Sequence, residues 1–230
     1  SPSAQATIGG RAGNNSCGSR SIRYGNMVPN VLGIDALLAD GSAFHFGPSE
    51  NLDAAPPAYR ELIGRIHAIV EREADEIETR WPKLLRRVQG YNIDMVRPYA
   101  PHNLAHLLVG SEGTLAWSRR IHLKLSPLPR AKALGVCHFP DFHGAMRAAQ
   151  HIVKLAPVAV ELVDRTMIEL ARGNPAFRGT VERFLKGDPD AILLVEFAGD
   201  DAAAQLAKLK QLSELMGDLG LAGGVVEVTD

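Results

Sequence analysis

The chain has 230 residues, 46% of them hydrophobic, and a formal net charge of -1. This length can bury the core of one or two domains. The near-neutral charge excludes the basic footprint of a protein that binds nucleic acid or an anionic membrane surface. No apolar run reaches the roughly 18 residues of a transmembrane segment, and Cys17 and Cys137 are too few and too far apart for a disulfide framework. We expect a cytoplasmic globular protein without a signal peptide.

Residues 6–28 are rich in Gly and Asn and show neither a helical nor a strand period. Glycine lets the backbone approach a ligand closely, because no Cβ intervenes. The stretch has neither the Lys-Ser/Thr pair of a Walker loop nor the glycine spacing of a Rossmann fingerprint. Two interpretations stay open at this point: a plain turn region, or a loop that presents its backbone to a ligand.

The remainder of the first half predicts a β-hairpin, helices and a further strand. Asp40-Gly41 is a favoured hairpin turn between two β-permissive runs. From Ala58 onward, apolar residues recur at three- and four-residue spacing until Pro82. We expect these elements in order: strand 31–39, strand 42–46, helix 58–81, short helix 103–109 and strand 114–125 in the same sheet as the hairpin.

The sequence SPLPR, residues 126–130, predicts a boundary between two separately packed domains, 1–128 and 129–230. Beyond it, strands alternate with amphipathic helices, which favours a half-complete ferredoxin-like α+β module. The expected elements are strand 133–139, helix 142–155, strand and short helix 158–171, loop 173–175, strand 191–197, helix 202–219 and strand 224–228.

A second glycine motif, LLVGSEGTLA, occupies residues 107–116. A helix that runs into Gly110 and is followed by Glu112-Gly113-Thr114 brings backbone close to another group. A glycine helix cap followed by a turn explains the same letters equally well. The motif alone does not decide between them.

Taken together, the two glycine-rich stretches resemble the FAD-linked oxidase family with the vanillyl-alcohol-oxidase type of flavin fold. The likeness is strongest to its glycolate oxidase, D-lactate dehydrogenase and D-2-hydroxyglutarate dehydrogenase branch, and within that branch to long members fused to an iron–sulfur half. It covers residues 1 to about 128 most clearly. The matching residues are Gly9, Gly10, Asn14, Asn15, Gly18, Arg20, Arg23, Tyr24 and Gly25, then residues 31–41, 90–92 and 110–115.

The resemblance implies an α+β fold in which residues 1–128 are the second part of an FAD-binding subdomain. Residues 129–230 would be a partial, ferredoxin-like cap or substrate domain. Ala116 departs from the glycine usual in the family, which affects only the local turn. The residues implied to line FAD are Gly9, Gly10, Asn14 and Asn15 at the pyrophosphate and isoalloxazine, Gly18, Tyr24 and Gly25 along the same wall, Ile34 at the adenine side, and Glu112, Gly113 and Thr114 closing the pocket.

The implied function is that of a flavoprotein oxidoreductase. The parent would oxidise D-lactate, D-2-hydroxyglutarate or glycolate by hydride transfer to FAD and pass electrons to an iron–sulfur module or a quinone-linked carrier, through which it would associate with a membrane. The family's upstream pyrophosphate loop and downstream catalytic segment have no counterpart here, so we expect a fragment that is inactive alone, without catalytic residues or tightly bound flavin. An alternative is a non-catalytic binding or assembly module that retains the flavin fold.

Other polar residues give weaker signals. His102 and His106, at i and i+4, would share one helix face as half of a metal site, but no third ligand is apparent and we assign no metal. Arg86-Arg87 either faces an anionic ligand or is solvated. Glu161 and Asp164 are expected to be structural.

Overall fold

The computed structural model describes residues 5–229, which form two compact units. The first unit ends at Ser126 and the second begins at Pro127, and the short segment Ile22–Tyr24 is grouped with the second unit. Arg23 donates a 2.7 Å hydrogen bond to the carbonyl oxygen of Ala198 within that unit. Each unit has its own sheet and hydrophobic core, and the predicted mixture of helices and sheets is confirmed.

The N-terminal stretch is more ordered than its sequence predicts. The sequence predicts a loop, and the structure has two short helices there. The Thr7 hydroxyl caps the first by accepting a hydrogen bond from Gly10 N at 3.0 Å. The elements up to Ser126 are α1 (Ile8–Gly13), α2 (Ser21–Tyr24), β1 (Val31–Leu37), β2 (Ala43–Phe46), α3 (Pro57–Arg72), α4 (Ala74–Arg80), α5 (Ala105–Leu108) and β3 (Trp117–Leu123).

The predicted hairpin and its sheet are confirmed. β1 is the central strand, with β2 and β3 antiparallel on either side. Gly41 has a φ of +84°, and the Asp40 carboxylate accepts a hydrogen bond from Ser42 N at 2.9 Å, so the turn chemistry is that of the Asp-Gly pair. Val31, Ile34 and Ala36 of β1 are buried in the core of the first unit, and the alternation is interrupted by a register shift between Val31 and Gly33.

The single helix predicted over residues 58–81 is two helices. The chain leaves helical geometry at Glu73, whose φ and ψ are -98° and 14°. Ile63, Val70 and Ile77 are all buried in the same core. Their seven-residue spacing continues across the break, which is why the apolar period alone indicated one helix.

The second unit has the topology predicted for it. Its four antiparallel strands have the order β5-β6-β4-β7, which is that of a ferredoxin-like fold. The prediction of a half-complete ferredoxin-like module is therefore wrong, because the four-stranded sheet is complete. That this unit is only part of a larger cap domain stays a prediction. Its elements are β4 (Ala131–Phe139), α6 (Phe142–Ile152), β5 (Ala159–Asp164), α7 (Arg165–Gly173), α8 (Pro175–Phe184), β6 (Ala191–Gly199), α9 (Ala202–Asp218) and β7 (Val225–Thr229).

The sequence pattern predicts only a loop at residues 173–175, and the structure has a helix, α8, that begins there. The Asn174 side chain caps it by accepting a hydrogen bond from Ala176 N at 3.0 Å, and Pro175 occupies its first turn. The Asn-Pro pair is a helix-start signal, with Asn as the cap and Pro in the first turn. Among residues 5–229, no helix is both long and apolar enough to cross a bilayer.

Candidate flavin-binding loops

The two glycine-rich stretches meet in the first unit. The carbonyl oxygen of Ala12 accepts a hydrogen bond from Gly110 N at 2.9 Å, and that of Gly13 accepts one from Glu112 N at 3.1 Å. The end of α1 is thus held directly against the GSEGT loop that follows α5. Neither stretch showed this pairing by its own sequence pattern.

Asn15 holds the first stretch in place. It has a left-handed φ of 48° and is only 2% exposed. Its Oδ1 accepts a hydrogen bond from Val28 N at 3.1 Å, and its Nδ2 donates one to the carbonyl oxygen of Arg87 at 3.2 Å. Because both polar atoms are used inside the unit, this side chain supports the loop from behind.

A third segment, residues 87–92, completes the arrangement. The buried Asn92 donates from Nδ2 to the carbonyl oxygens of His106 at 3.1 Å and Val109 at 2.7 Å. Arg87 donates to Asn92 Oδ1 at 3.2 Å and forms a 2.7 Å ion pair with Asp94. Arg87 is thus mostly buried and paired, neither solvated nor free to face an anionic ligand. We call residues 12–15, 87–92 and 110–114 the loop cluster.

Two features show how closely the segments of the loop cluster approach one another. A Cβ added to Gly110, whose φ is +84°, would lie 3.3 Å from the Asn15 Cβ, so this position is suited to glycine. The hydroxyl groups of Tyr91 and Thr114 lie 2.8 Å apart and join the second and third segments. The roles of Tyr91 and Asn92 in this packing were not among the sequence predictions.

The outer surface of these loops carries most of the residues predicted to line FAD. Gly9 and Gly18 are exposed, neither has a positive φ, and a Cβ on either would meet no atom within 4 Å. Nothing in the described part of the chain therefore requires glycine at these two positions. The other exposed members of the predicted set are Gly10, Asn14, Gly25, Glu112, Gly113 and Thr114.

Tyr24 and Ile34 lie in other surroundings. Ile34 is 0% exposed and pairs with Phe46 and Ile121 on the two neighbouring strands, so its side chain belongs to the core. Tyr24 is grouped with the second unit, where the Arg23 guanidinium lies 5.7 Å from its ring centroid. The flavin contacts expected of both residues stay predictions.

Beside the loop cluster lies a cleft of about 530 Å³, lined by Asn15, Arg87 and Asn92 among others. Its charged groups are largely paired. Glu78 bonds to Lys83 at 2.8 Å and to Arg97 at 2.9 Å, and these two cations hold the pKa of its carboxyl at about 2. The cleft has an ordinary size for a ligand site.

The histidine pair of the sequence prediction is not on one helix. His102 precedes α5, which begins at Ala105, and its Nε2 lies 3.2 Å from Nε2 of His67 instead. Burial lowers the pKa of both His67 and His106. Asp164 is structural as expected, since it caps α7 by accepting from Met167 N at 2.9 Å.

Comparison with protein families gives two matches along the chain. Residues 2–47 match an FAD binding domain, and residues 128–230 match the C-terminal domain of FAD linked oxidases. The first match contains α1 and the hairpin, and the second covers the ferredoxin-like unit.

Among curated proteins, the chain is 31% identical over 220 residues to a D-2-hydroxyglutarate dehydrogenase of Pseudomonas putida, with 91% of this chain and 22% of that protein covered. It is 30% identical over 214 residues to one of Escherichia coli, with 88% of the chain and 21% of that protein covered. A D-lactate dehydrogenase of Archaeoglobus fulgidus is 27% identical over 207 residues, with 90% and 35% covered. The chain thus spans only a fifth to a third of the length of these relatives.

Solved structures show the same fold at lower identity. Two crystal forms of alkyldihydroxyacetonephosphate synthase superpose with TM-scores of 0.55 and 0.60, each at 16% identity. They cover 93% and 98% of this chain, which spans 32% and 34% of theirs.

Proposed function

We propose, from the premise that this chain belongs to the FAD-linked oxidase family, that its first unit forms one side of an FAD site. The longer protein would be a flavin-dependent dehydrogenase that oxidises a 2-hydroxy acid. D-2-Hydroxyglutarate and D-lactate are the acids named for the relatives. Glycolate shares the α-hydroxy carboxylate that such an enzyme must recognise.

The observation that carries the proposal is the direct bonding of α1 to the GSEGT loop, with glycines on the exposed surface. Glycine within a helix costs about 1 kcal/mol relative to alanine. Gly9 lies in α1 with open space around it, so this destabilisation is not compensated by contacts within the described chain. Close approach of a ligand to bare backbone would account for it.

We assign the holding of FAD to the exposed residues of these loops. Gly9, Gly10, Asn14 and Gly18 would contact it from one stretch, and residues 112–114 from the other. Bound FAD supplies a hydride acceptor for the carbon that bears the substrate hydroxyl. The protein's part is to orient the ring and exclude water, and Asn15 contributes by fixing the loop on which its neighbours lie.

The assignments of the substrate-binding domain and of the electron acceptor are based only on the likeness to the family. The ferredoxin-like unit would form part of the cap over the substrate. Electrons would leave through an iron–sulfur module or a quinone-linked carrier. We assign no catalytic base to this chain.

The proposal is tested by titrating the 230-residue chain with FAD and measuring the quenching of flavin fluorescence on binding. Gly9→Val should weaken binding about tenfold, because the side chain would occupy the surface where the ligand lies. Gly64→Val is the matched control, since Gly64 lies exposed in α3, also with nothing within 4 Å of its Cβ position. Equal affinities for both variants would contradict the assignment.

A second measurement separates the enzyme from a non-catalytic module. We expect the 230-residue chain to be purified colourless, since a ligand of this size gains affinity from burial on all sides. Extension along the natural reading frame to the length of the relatives should give a yellow protein. Its flavin should bleach with D-2-hydroxyglutarate, D-lactate or glycolate; flavin that is bound but bleached by none of them would favour the non-catalytic alternative.

A further inference from the structure

A cluster of two histidines and one aspartate lies on the three-stranded sheet of the first unit. Asp35, His45 and His122 belong to β1, β2 and β3, and their ligand atoms all lie within 4.8 Å of one another. Among the described residues, this is the group of three whose composition and spacing suit a metal ion.

The strand register explains why these residues meet. Asp35 is directly opposite His45 in the β1–β2 ladder, and Gly33 is opposite His122 in the β1–β3 ladder. Residues two apart on a strand share a face, so Asp35 and the Gly33–His122 pair lie on the same side. The side chains of Asp35, His45 and His122 are 32%, 54% and 45% exposed, so the cluster faces solvent.

Two glycines, Gly33 and Gly47, lie against the His45 ring. A Cβ added to Gly33 would lie 2.9 Å from the His45 Cε1, and one added to Gly47 would lie 2.8 Å from its Nε2. Both distances are too short for real side chains, so glycine at these positions leaves the space that the ring occupies. Its Nδ1 is thereby directed at the Asp35 carboxylate, 2.6 Å away.

Coordination of one ion would require modest shifts of these three side chains. Tetrahedral ligands about 2.1 Å from Zn²⁺ are separated by about 3.4 Å. Here the Nδ1 of His45 lies 2.6 Å from Asp35 Oδ1, and the Nε2 of His122 lies 3.7 Å from Asp35 Oδ2. The three ligand atoms all lie within 4.8 Å of one another, so shifts of roughly 1–1.5 Å in these exposed side chains would bring them to coordinating positions.

We propose that Asp35, His45 and His122 bind one divalent transition-metal ion of the Zn²⁺ class, with a fourth position open to water. Two imidazoles and one carboxylate are ligands suited to zinc, cobalt or nickel rather than to calcium or magnesium. The site lies on the strands and is independent of the flavin proposal, which depends on the loops.

Binding requires two rearrangements. Binding through Nδ1 requires the lone pair of that nitrogen, so the His45 ring must carry its proton on Nε2 and give up its hydrogen bond with Asp35. The Arg120 guanidinium, whose nitrogen lies 3.6 Å from Asp35 Oδ2, must move away, and its 68% exposure permits this. Arg120 therefore opposes the ion, which gives the site a variant expected to bind more tightly.

The test is titration of the untagged 230-residue chain, freed of metal by chelation, with Co²⁺ and Zn²⁺. We expect one ion per chain by calorimetry, and visible Co²⁺ bands typical of nitrogen and oxygen ligands. His122→Gln and His45→Gln should each lower the affinity at least tenfold. Arg120→Ala should raise it severalfold, and His143→Gln, which removes an exposed histidine of α6, should not change it.

The outcomes are distinguishable even where a variant folds poorly. Circular dichroism verifies the fold of each variant, and Arg120→Ala leaves all three ligands in place. An absence of binding at millimolar metal, or binding that survives the loss of both His45 and His122, would overturn the proposal.

Discussion

Asn15 donates a 3.2 Å hydrogen bond from its side chain to the carbonyl oxygen of Arg87, 72 residues further along the chain. The same carbonyl accepts a second 3.2 Å bond from Asn26 Nδ2. One backbone oxygen therefore ties the glycine-rich stretch to the segment that precedes Gly90. The left-handed φ of Asn15 aims its side chain at this oxygen, and asparagine tolerates that conformation better than most residues.

We therefore expect Asn15→Ala to destabilise the first unit by about 2–3 kcal/mol. The change removes two hydrogen bonds, leaves the buried Val28 N–H without its acceptor, and places alanine at a positive φ. Urea unfolding measures the loss. Asn14→Ala is the control, because Asn14 is exposed with an ordinary φ of -83°, and its effect should stay below about 0.5 kcal/mol. A similar loss for both variants would contradict the bracing role.

The sequence predicted the sheets better than it predicted the loop cluster. The Asp40-Gly41 turn and the β-permissive runs on either side of it are local signals, and the hairpin that they predict is confirmed. The inward direction of Asn15 depends on Val28 and Arg87, which no local pattern connects to it. The closeness of the two glycine-rich stretches followed only from the resemblance to a known family.

The same distinction between local and long-range signals applies to the cluster of Asp35, His45 and His122. The pairing of Asp35 with His45 depends on the observed loop of residues 39–41, which Leu38 N closes by donating to the carbonyl oxygen of Ser42; the predicted two-residue turn at Asp40-Gly41 would place Asp35 opposite Phe46. His122 joins them only through the strand order β2-β1-β3, which is a long-range feature. The structure was therefore needed to bring all three residues together, because both the exact register of the hairpin and the strand order decide it.

The His67–His102 contact predicts that acid weakens the first unit. Burial, and then the proximity of His102, lower the pKa of His67 from 6.5, although Glu71 opposes this. The unfolded chain therefore takes up a proton at a higher pH than the folded chain, so stability is fully present above pH 6.5 and is lost as the pH falls below it. Urea midpoints at about pH 7.5 and about pH 5.5 measure this loss.

His67→Gln should reduce that pH dependence, because the buried imidazole with the lowered pKa is removed, while His106, whose pKa burial also lowers, retains part of it. His143→Gln, on the surface of α6, should leave the dependence unchanged. If the acid-induced loss were the same in wild type and His67→Gln, the contact would not be its source.

The two cysteines should differ sharply in reactivity. Cys137 is fully buried in β4, and burial raises the pKa of its thiol to about 12, so almost no thiolate forms. Cys17 is exposed. Ellman's reagent should titrate one thiol per native chain and two in denaturant. Cys17→Ser should abolish the native reaction, and a fast reaction in that variant would show that β4 opens readily.

The packing of α9 on β4 depends on a glycine in the middle of the strand. A Cβ at Gly135 would lie 2.5 Å from Leu212 Cδ2 and 3.3 Å from Leu209 Cδ2, and both leucines are fully buried. Because well-packed cores resist added volume, we expect Gly135→Ala to destabilise the second unit by about 1–3 kcal/mol. Gly179→Ala, in α8 with open space around it, is the control and should be neutral or stabilising.

A double variant identifies the cause of that loss. Leu212→Ala alone removes buried contacts and should cost about 2–5 kcal/mol. In the Gly135→Ala background the same truncation also removes the overlap, so it should cost at least about 1 kcal/mol less. Chemical unfolding of the four proteins gives this coupling directly. Additive losses would show that the strand backbone, rather than Leu212, responds to the added methyl group, and that the close approach of α9 to β4 is not what requires glycine at position 135.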